Sequence, residues 1–264
     1  MDYQTLLVSR EEGVTTVTLN RPERLNAFNT LMRQEITRIA EELKDDEETR
    51  VIVITGAGRA FCAGGDVREM ANRTGAPPAG DPRDNFRQGG MRAVLALREI
   101  DKPIIAAVNG PAAGGGMGLA LCCDIRIASE NATFGQVFVK RGLVPDWGAS
   151  WFLPRLVGTS KACELIWTGE MIDANEAERL GIVSRVVPAD DLLKVSKELA
   201  AKIAKGAPLA IRMSKLAIFK GLQMDLATEL EFEAYGQAVC MRTEDHREGV
   251  KAFLEKREPV FKGR

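Results

Sequence analysis

The side chains able to do chemistry are few in this chain. Its 264 residues include one histidine, His246. A Ser/His/Asp or Cys/His relay would have to be built on it, and a zinc site of two or more histidines is impossible. No G-x-S-x-G elbow surrounds any serine, which argues against a serine hydrolase. The five cysteines, Cys62, Cys122, Cys123, Cys163 and Cys240, are odd in number and form no C-x-x-C pair. They are expected to be reduced, mostly buried thiols of a cytoplasmic protein. Acid–base work therefore falls to carboxylates. Asp146 follows the apolar run Val137-Phe138-Val139 and lies between Pro145 and Trp147. Such surroundings can desolvate a carboxyl and raise its pKa, although Pro-Asp-x-Gly also reads as a plain turn. Asp66 reads as a helix N-cap, Asp124 as a strand-edge residue, and Glu164 as one carboxylate on a helix.

Two glycine-rich turns offer donors that no side-chain count registers. The first is Gly56-Ala57-Gly58 through Gly64-Gly65-Asp66, and the second is Gly114-Gly115-Gly116. Each follows an apolar run and precedes a helical pattern, so backbone can approach a ligand closely while the next helix aims free N–H groups at it. The first turn lacks the third glycine of G-x-G-x-x-G, and no lysine completes a G-x-x-x-x-G-K phosphate loop. Paired amides converging on one anion or one developing oxyanion are the reading that uses both turns.

Regular elements must hold these groups. Thr5 to Ser9 and Val14 to Asn20 read as strands around a turn at Arg10-Glu11-Glu12-Gly13. Leu31 to Asp45 is helical, with Met32, Ile36, Ile39 and Leu43 on one face and Asn29 or Thr30 as N-cap. Val51 to Thr55 and Pro103 to Val108 read as strands buried on both faces of a mostly parallel sheet. Asn72 to Gly90 reads as a mobile loop running into a helix that ends near Ile100. Asp124 to Ala128 and Thr133 to Gln136 are further strands. From Ser150 onward helices dominate, with one strand at Ile182 to Val187, and the last sixty-odd residues read as wholly helical. The fold class is α/β, a repeating β-β-α core over residues 1–200 followed by a helical region over 201–264.

A formal net charge of -1 gives no bulk electrostatic case for nucleic acid or an anionic membrane. No apolar run approaches the ~20 residues of a membrane helix, and the N-terminus lacks a signal-peptide pattern. A soluble protein is expected.

The ordered set Asn26-Ala27-Phe28, Ile54-Thr55-Gly56, Phe61-Cys62-Ala63-Gly64-Gly65-Asp66, Ala106-Ala107-Val108-Asn109-Gly110, Ala113-Gly114-Gly115-Gly116, Cys123-Asp124-Ile125, Phe134-Gly135 and Glu248 to Arg257 resembles the crotonase (enoyl-CoA hydratase/isomerase) superfamily. The resemblance covers nearly the whole chain. It implies a ClpP-like spiral of β-β-α turns, a C-terminal helical part used in trimerisation, and an acyl-CoA thioester held with its carbonyl oxygen in an oxyanion hole. Carried over position by position, the hole is formed by the backbone N–H groups of Gly65 and Gly115. Arg24, Leu25, Ala27, the Ala63-Gly64-Gly65-Asp66-Val67 stretch, and Phe253 and Lys256 from a neighbouring subunit are implied to hold CoA. No cofactor is implied beyond coenzyme A itself, which belongs to the substrate, and no metal. The assembly implied is a homotrimer or a dimer of trimers.

Departures from the family pattern bear on the reaction. Hydratases that this chain resembles use two glutamates, one just after the glycine triplet and one shortly after Phe-Gly-Gln. Those positions are Gly118 and Phe138 here, and neither can move a proton. Asp146 falls eight positions after the second, where isomerase branches place an acid. Pro145-Asp146 with Trp151-Phe152-Leu153-Pro154-Arg155 looks most like the 2-(1,2-epoxy-1,2-dihydrophenyl)acetyl-CoA isomerases of phenylacetate degradation and the 3-enoyl-CoA isomerases. Phe138, Pro145 and Trp147 would then wall the acyl pocket, and Trp147 departs from the glycine common after that aspartate. The expected activity is the shift of a double bond or of a ring-opened unsaturation by one carboxylate acting on a thioester enolate stabilised in the oxyanion hole. A hydratase of atypical mechanism is the alternative, and a non-enzymatic RNA-binding or scaffold relative is a third reading. Aromatic acyl-CoA dehalogenases also place an aspartate here, but pair it with a tryptophan where this chain has Phe138 and with a histidine that it lacks.

Overall fold

The computed structural model describes residues 2–72 and 81–264. The chain opens with β1 (Leu6–Glu11) and β2 (Val14–Leu19), an antiparallel hairpin. Its turn is only Glu12-Gly13, both in the left-handed region (φ 47° and 79°), which matches the twist of the strands. The strand therefore runs to Glu11, past the Arg10 expected to start the turn. Helix α1 (Thr30–Asp45) has Asn29 as its N-cap, whose side chain accepts from the N–H of Met32. Next come β3 (Val51–Gly56) and α2 (Val67–Asn72).

Residues 73–80 of the expected mobile loop lie outside the described residues. The remainder is helical earlier than expected: α3 (Pro82–Phe86) starts from an Asp81 N-cap with Pro82 in the first turn, which suits that position. One wide turn over Arg87–Met91 leads into α4 (Arg92–Glu99). The core continues through β4 (Ile104–Val108), β5 (Ala112–Ala113), α5 (Gly115–Cys122), β6 (Ile125–Ser129) and β7 (Thr133–Gly135). Then follow α6 (Ala149–Thr168), the two-residue β8 (Ile172–Asp173), α7 (Ala174–Arg179), β9 (Arg185–Val187) and α8 (Leu192–Ala204). The strand expected from Ile182 is shorter, because Ile182 and Val183 enter the core from a turn. β8 has no counterpart in the sequence pattern because two residues carry no periodicity.

Six strands form one sheet in the order β1-β2-β3-β4-β6-β9, parallel from β2 onward, and β5-β7-β8 form a second. Burial on both faces of the large sheet is explicit. Ile52 and Ile54 of β3 pack with Met32, Ile36, Ile39 and Leu43 of α1, whereas Val51 and Val53 pack with Leu192, Ala200 and Ala204 of α8. The division expected after residue 200 thus falls inside a helix that packs on the sheet. Beyond it lie α9 (Pro208–Gly221), α10 (Leu226–Cys240) and α11 (Glu244–Glu255). The final residues are not helical as expected. Lys256 ends α11 in the left-handed region, and the tail folds back so that Asp245 accepts from the N–H groups of Lys262 and Gly263 at 2.7 and 2.8 Å. No helix among the described residues is long and apolar enough to cross a membrane.

Candidate active site

The first glycine turn is held against Phe28. The Phe28 N–H donates to Gly64 O at 2.7 Å and the Asp66 N–H donates to Phe28 O at 3.0 Å. Residues alternate sides in such a pairing, so the Gly65 N–H faces the other way. The second turn is made by Gly114, whose φ 52° and ψ −121° suit only glycine. It starts α5, leaving the Gly115 N–H at a helix N-terminus where no carbonyl is within reach and the dipole is positive. Neither the Gly65 nor the Gly115 N–H donates to an acceptor among the described residues.

Cys62 ties the two turns together: its N–H donates to Pro111 O at 3.1 Å and its carbonyl accepts from Ala113 N–H at 2.9 Å. Its sulfur accepts from the Gly64 N–H at 3.4 Å. The turns touch, since a Cβ built on Gly64 would stand 2.7 Å from Ala113 O and 3.5 Å from Gly115 N. Cys62, Cys122 and Cys123 are buried and Cys163 and Cys240 half-buried, all as free thiols; burial pushes the Cys62 and Cys122 thiols up to about 12.

Both glycines open on a cavity of about 600 Å³ whose wall also contains Phe28, Arg33, Asp66, Glu69, Met70, Phe86, Gly90, Phe138, Leu143, Val144, Asp146 and Trp147. Its carboxylates are differently placed. Asp66 caps α2 through the N–H groups of Arg68 and Glu69 and pairs with Arg21 at 2.9 Å. Burial alone would raise its pKa, but those donors outweigh it and hold the carboxyl below its ordinary value. Glu69 accepts from the Thr30 N–H at 3.0 Å and the Thr30 hydroxyl at 2.5 Å, and lies 3.6 Å from Arg33. Asp146 has little such support: its Oδ1 is buried without a hydrogen-bond partner among the described residues, and only its own backbone N–H helps its carboxylate. Desolvation pushes its pKa from 3.8 up to about 6, against a smaller pull from the Arg33 guanidinium.

The loop that carries Asp146 is strained where it matters. Trp147 and Gly148 both adopt the left-handed region, φ 51° and 72°, and the conformation is uncommon for a bulky residue. Trp147 is 4% exposed and stacks on Phe28 with ring centroids 4.2 Å apart. Its indole runs past Gly90 and Gly115, where added Cβ atoms would approach the ring to 2.6 and 2.8 Å. Over Gly118 a Cβ would meet the Trp147 Cβ at 2.5 Å and its carbonyl oxygen at 3.0 Å.

A sequence model of the enoyl-CoA hydratase/isomerase family matches residues 9–264. The chain belongs to that family. Among curated relatives, the Mycobacterium bovis protein named "Probable enoyl-CoA hydratase echA8" is 44% identical over 261 residues, 99% of each chain. The crotonyl-CoA hydratase of Syntrophomonas wolfei is 39% identical over 262 residues, again 99% of each. The crystal structure of enoyl-CoA hydratase from Bacillus anthracis superposes with a TM-score of 0.93 at 38% identity, covering 99% of this chain and 100% of that one. The α/β crotonase architecture with its helical C-terminal region is thus established.

Of the residues singled out from the sequence, Gly65, Asp66, Gly115, Phe138, Asp146 and Trp147 meet in the cavity wall of this family member. Arg24, Leu25 and Ala27 form the turn before Phe28, with the Ala63 N–H donating to Leu25 O at 3.0 Å, and they stand behind the first glycine turn with Gly64. Val67 is exposed at the start of α2, and Pro145 precedes Asp146 outside the wall. Phe253 and Lys256 lie on α11 and its cap, away from the wall. Glu164 pairs with Lys161 on the surface of α6, and His246 is exposed on α11. Phe28, Arg33, Glu69, Met70, Leu143 and Val144 join the wall without having been singled out as site residues by the sequence pattern, whereas Phe86 and Gly90 come from the Asn72 to Gly90 segment, which was expected to shape the acyl pocket. The Gly89-Gly90 pair was a usable signal for close approach; Arg33 and Glu69 look like ordinary helical surface charges until α1 and α2 are brought together.

Proposed function

We propose that this enzyme isomerises an unsaturated acyl-CoA thioester by moving one proton. The thioester oxygen would take the N–H groups of Gly65 and Gly115, which stabilises the enolate and acidifies the carbon next to the thioester or its vinylogous position. Each amide can lower the barrier by about 3 kcal/mol. Asp146 would remove the proton and return it to a different carbon, a shuttle that contributes roughly 10²–10⁴. The observation that carries this reading is the buried, unpartnered oxygen of Asp146 in a cavity that holds two unpaired amides and no other uncommitted carboxylate among the described residues. Glu69 is occupied by Thr30 and Arg33, and Asp66 by Arg21 and its helix cap. Positions 118 and 138 hold Gly and Phe, so no second acid stands ready to activate water.

A second reading follows from the relatives, whose names are those of hydratases. Asp146 would then activate water in place of a glutamate pair. Coenzyme A would be held by the Arg24-Leu25-Ala27 turn and residues 63–67, with Phe253 and Lys256 reaching a neighbouring subunit's ligand. Phe253 is 82% exposed beside exposed Val250 and Leu254, which supports a homotrimer or a dimer of trimers. Phenylacetate degradation and a cytoplasmic setting are part of the same proposal. Incubating the enzyme with 3-enoyl-, 2-enoyl- and ring-bearing acyl-CoA thioesters tests it. Double-bond migration is the expected product, and exclusive hydration of 2-enoyl-CoA would overturn the isomerase reading.

A further inference from the structure

Trp147 carries the one side-chain donor in the cavity wall that the protein leaves unused among the described residues. Trp147 as a whole is 4% exposed, yet its indole nitrogen is not fully enclosed by protein. None of the described residues accepts its N–H. The two glycines nearest its Nε1 are Gly90 and Gly115, whose Cβ positions would lie 2.6 and 3.0 Å away, and both belong to the cavity wall. With no protein acceptor and no full enclosure, the indole nitrogen of this wall residue borders the cavity. Arg33, the other nitrogen donor on that wall, is engaged by Glu69, by the Thr30 hydroxyl at 3.2 Å and by Phe28 O at 3.4 Å.

The thioester oxygen is not the natural recipient. A carbonyl oxygen has two lone pairs, and the amides of Gly65 and Gly115 would use both. We infer that Trp147 is a specificity residue that selects acyl-CoA thioesters bearing a hydrogen-bond-accepting oxygen on the acyl group, through donation from its indole Nε1–H. An acyl chain of hydrocarbon alone leaves that donor desolvated and unpaired, which discriminates more strongly than a missing methylene does. This inference rests on the acyl-CoA reading of the cavity, whichever reaction is catalysed there.

The test compares two 3-enoyl-CoA thioesters of equal chain length, one all-carbon and one with an ether oxygen in the chain, in the wild type and in Trp147→Phe. Phenylalanine keeps an aromatic ring for Phe28 and removes the donor together with part of the ring, a volume change that the ratio of two substrates of equal length cancels. The ratio of kcat/KM, oxygen-bearing over all-carbon, is expected to fall about ten-fold in the variant. A ratio that does not change overturns the inference. A wild-type measurement covers a variant that does not fold: the ¹⁵N–¹H indole signals of the three tryptophans are followed while saturated acyl-CoA thioesters, with and without the ether oxygen, are titrated. One signal is expected to move downfield with the oxygen-bearing ligand alone, and identical spectra with both ligands overturn the inference. These spectra need no turnover, so they test Trp147 equally well in an enzyme that proves to be a hydratase.

Discussion

Gly118 and Trp147 share one volume: a Cβ on Gly118 would lie 2.5 Å from the Trp147 Cβ and 3.0 Å from its carbonyl oxygen. The position where the resembled hydratases carry their first glutamate is therefore closed by the backbone of the loop that presents Asp146. The glycine is required by packing, and the missing acid and the left-handed Trp147 are two sides of one arrangement. Even Gly118→Ala should cost about 1–3 kcal/mol of stability, the usual penalty for forcing atoms into a packed core. Because α5 carries Gly115, the same change should disturb the hole and lower kcat. Thermal unfolding and steady-state kinetics on Gly118→Ala check both; a variant as stable and active as the wild type contradicts the packing.

Asp146 should link activity and stability in opposite senses. As the base it must be ionised, so kcat/KM should rise through pH about 6, where burial has placed its pKa, and level off above. Its folded value stands above the ordinary 3.8, so the folded state favours the neutral carboxyl. That contribution is fully present below pH about 4 and is lost as pH rises through about 6, a swing of up to about 3 kcal/mol. Asp146→Asn should lose roughly 10²–10⁴ in kcat, retain acyl-CoA affinity, and gain Tm over the wild type at pH 8 more than at pH 4. Full retained activity would remove Asp146 from the mechanism.

Gly114 sets the aim of the Gly115 amide from a backbone conformation of φ 52° and ψ −121°. A Cβ there has room, its nearest neighbour being Phe138 Cζ at 3.5 Å, so the cost of Gly114→Ala is conformational, about 1–3 kcal/mol. Relief of that strain turns the amide away, and kcat should fall roughly 10²–10³-fold, as for loss of one hole donor. Binding of a free acyl-CoA, measured by calorimetry, should weaken far less.

The exposed apolar residues of α11 should be covered in solution. Leu254 is 75% exposed, so Leu254→Glu costs the single chain little and should break its contacts with a neighbour. Sedimentation of the wild type as three or six chains, and of the variant as fewer, is the expected outcome. A wild type that sediments as a single chain contradicts the assembly.

What the sequence made legible was periodic or glycine-marked. The α1 stripe, the all-buried Val51 to Thr55 run and the two glycine turns lie where their patterns placed them, because burial on a fixed period and a positive φ both leave local signatures. Asp146 was readable from its apolar neighbours. Arg33 and Glu69 were not, since a charged residue on an amphipathic helix looks the same whether it faces water or a cavity formed by a distant loop. Nor was the fit of Trp147 between Gly90 and Gly115, which unites segments about 57 and 32 residues from it in the chain.

Isotope labelling addresses the central claim most directly. When the enzyme converts a 3-enoyl-CoA thioester in H₂¹⁸O, the product should have the same elemental composition as the substrate, carry no ¹⁸O and show the conjugated 2-enoyl chromophore. No conversion of the 3-enoyl-CoA, with one labelled water added to the matching 2-enoyl-CoA instead, would contradict the account and make the enzyme a hydratase.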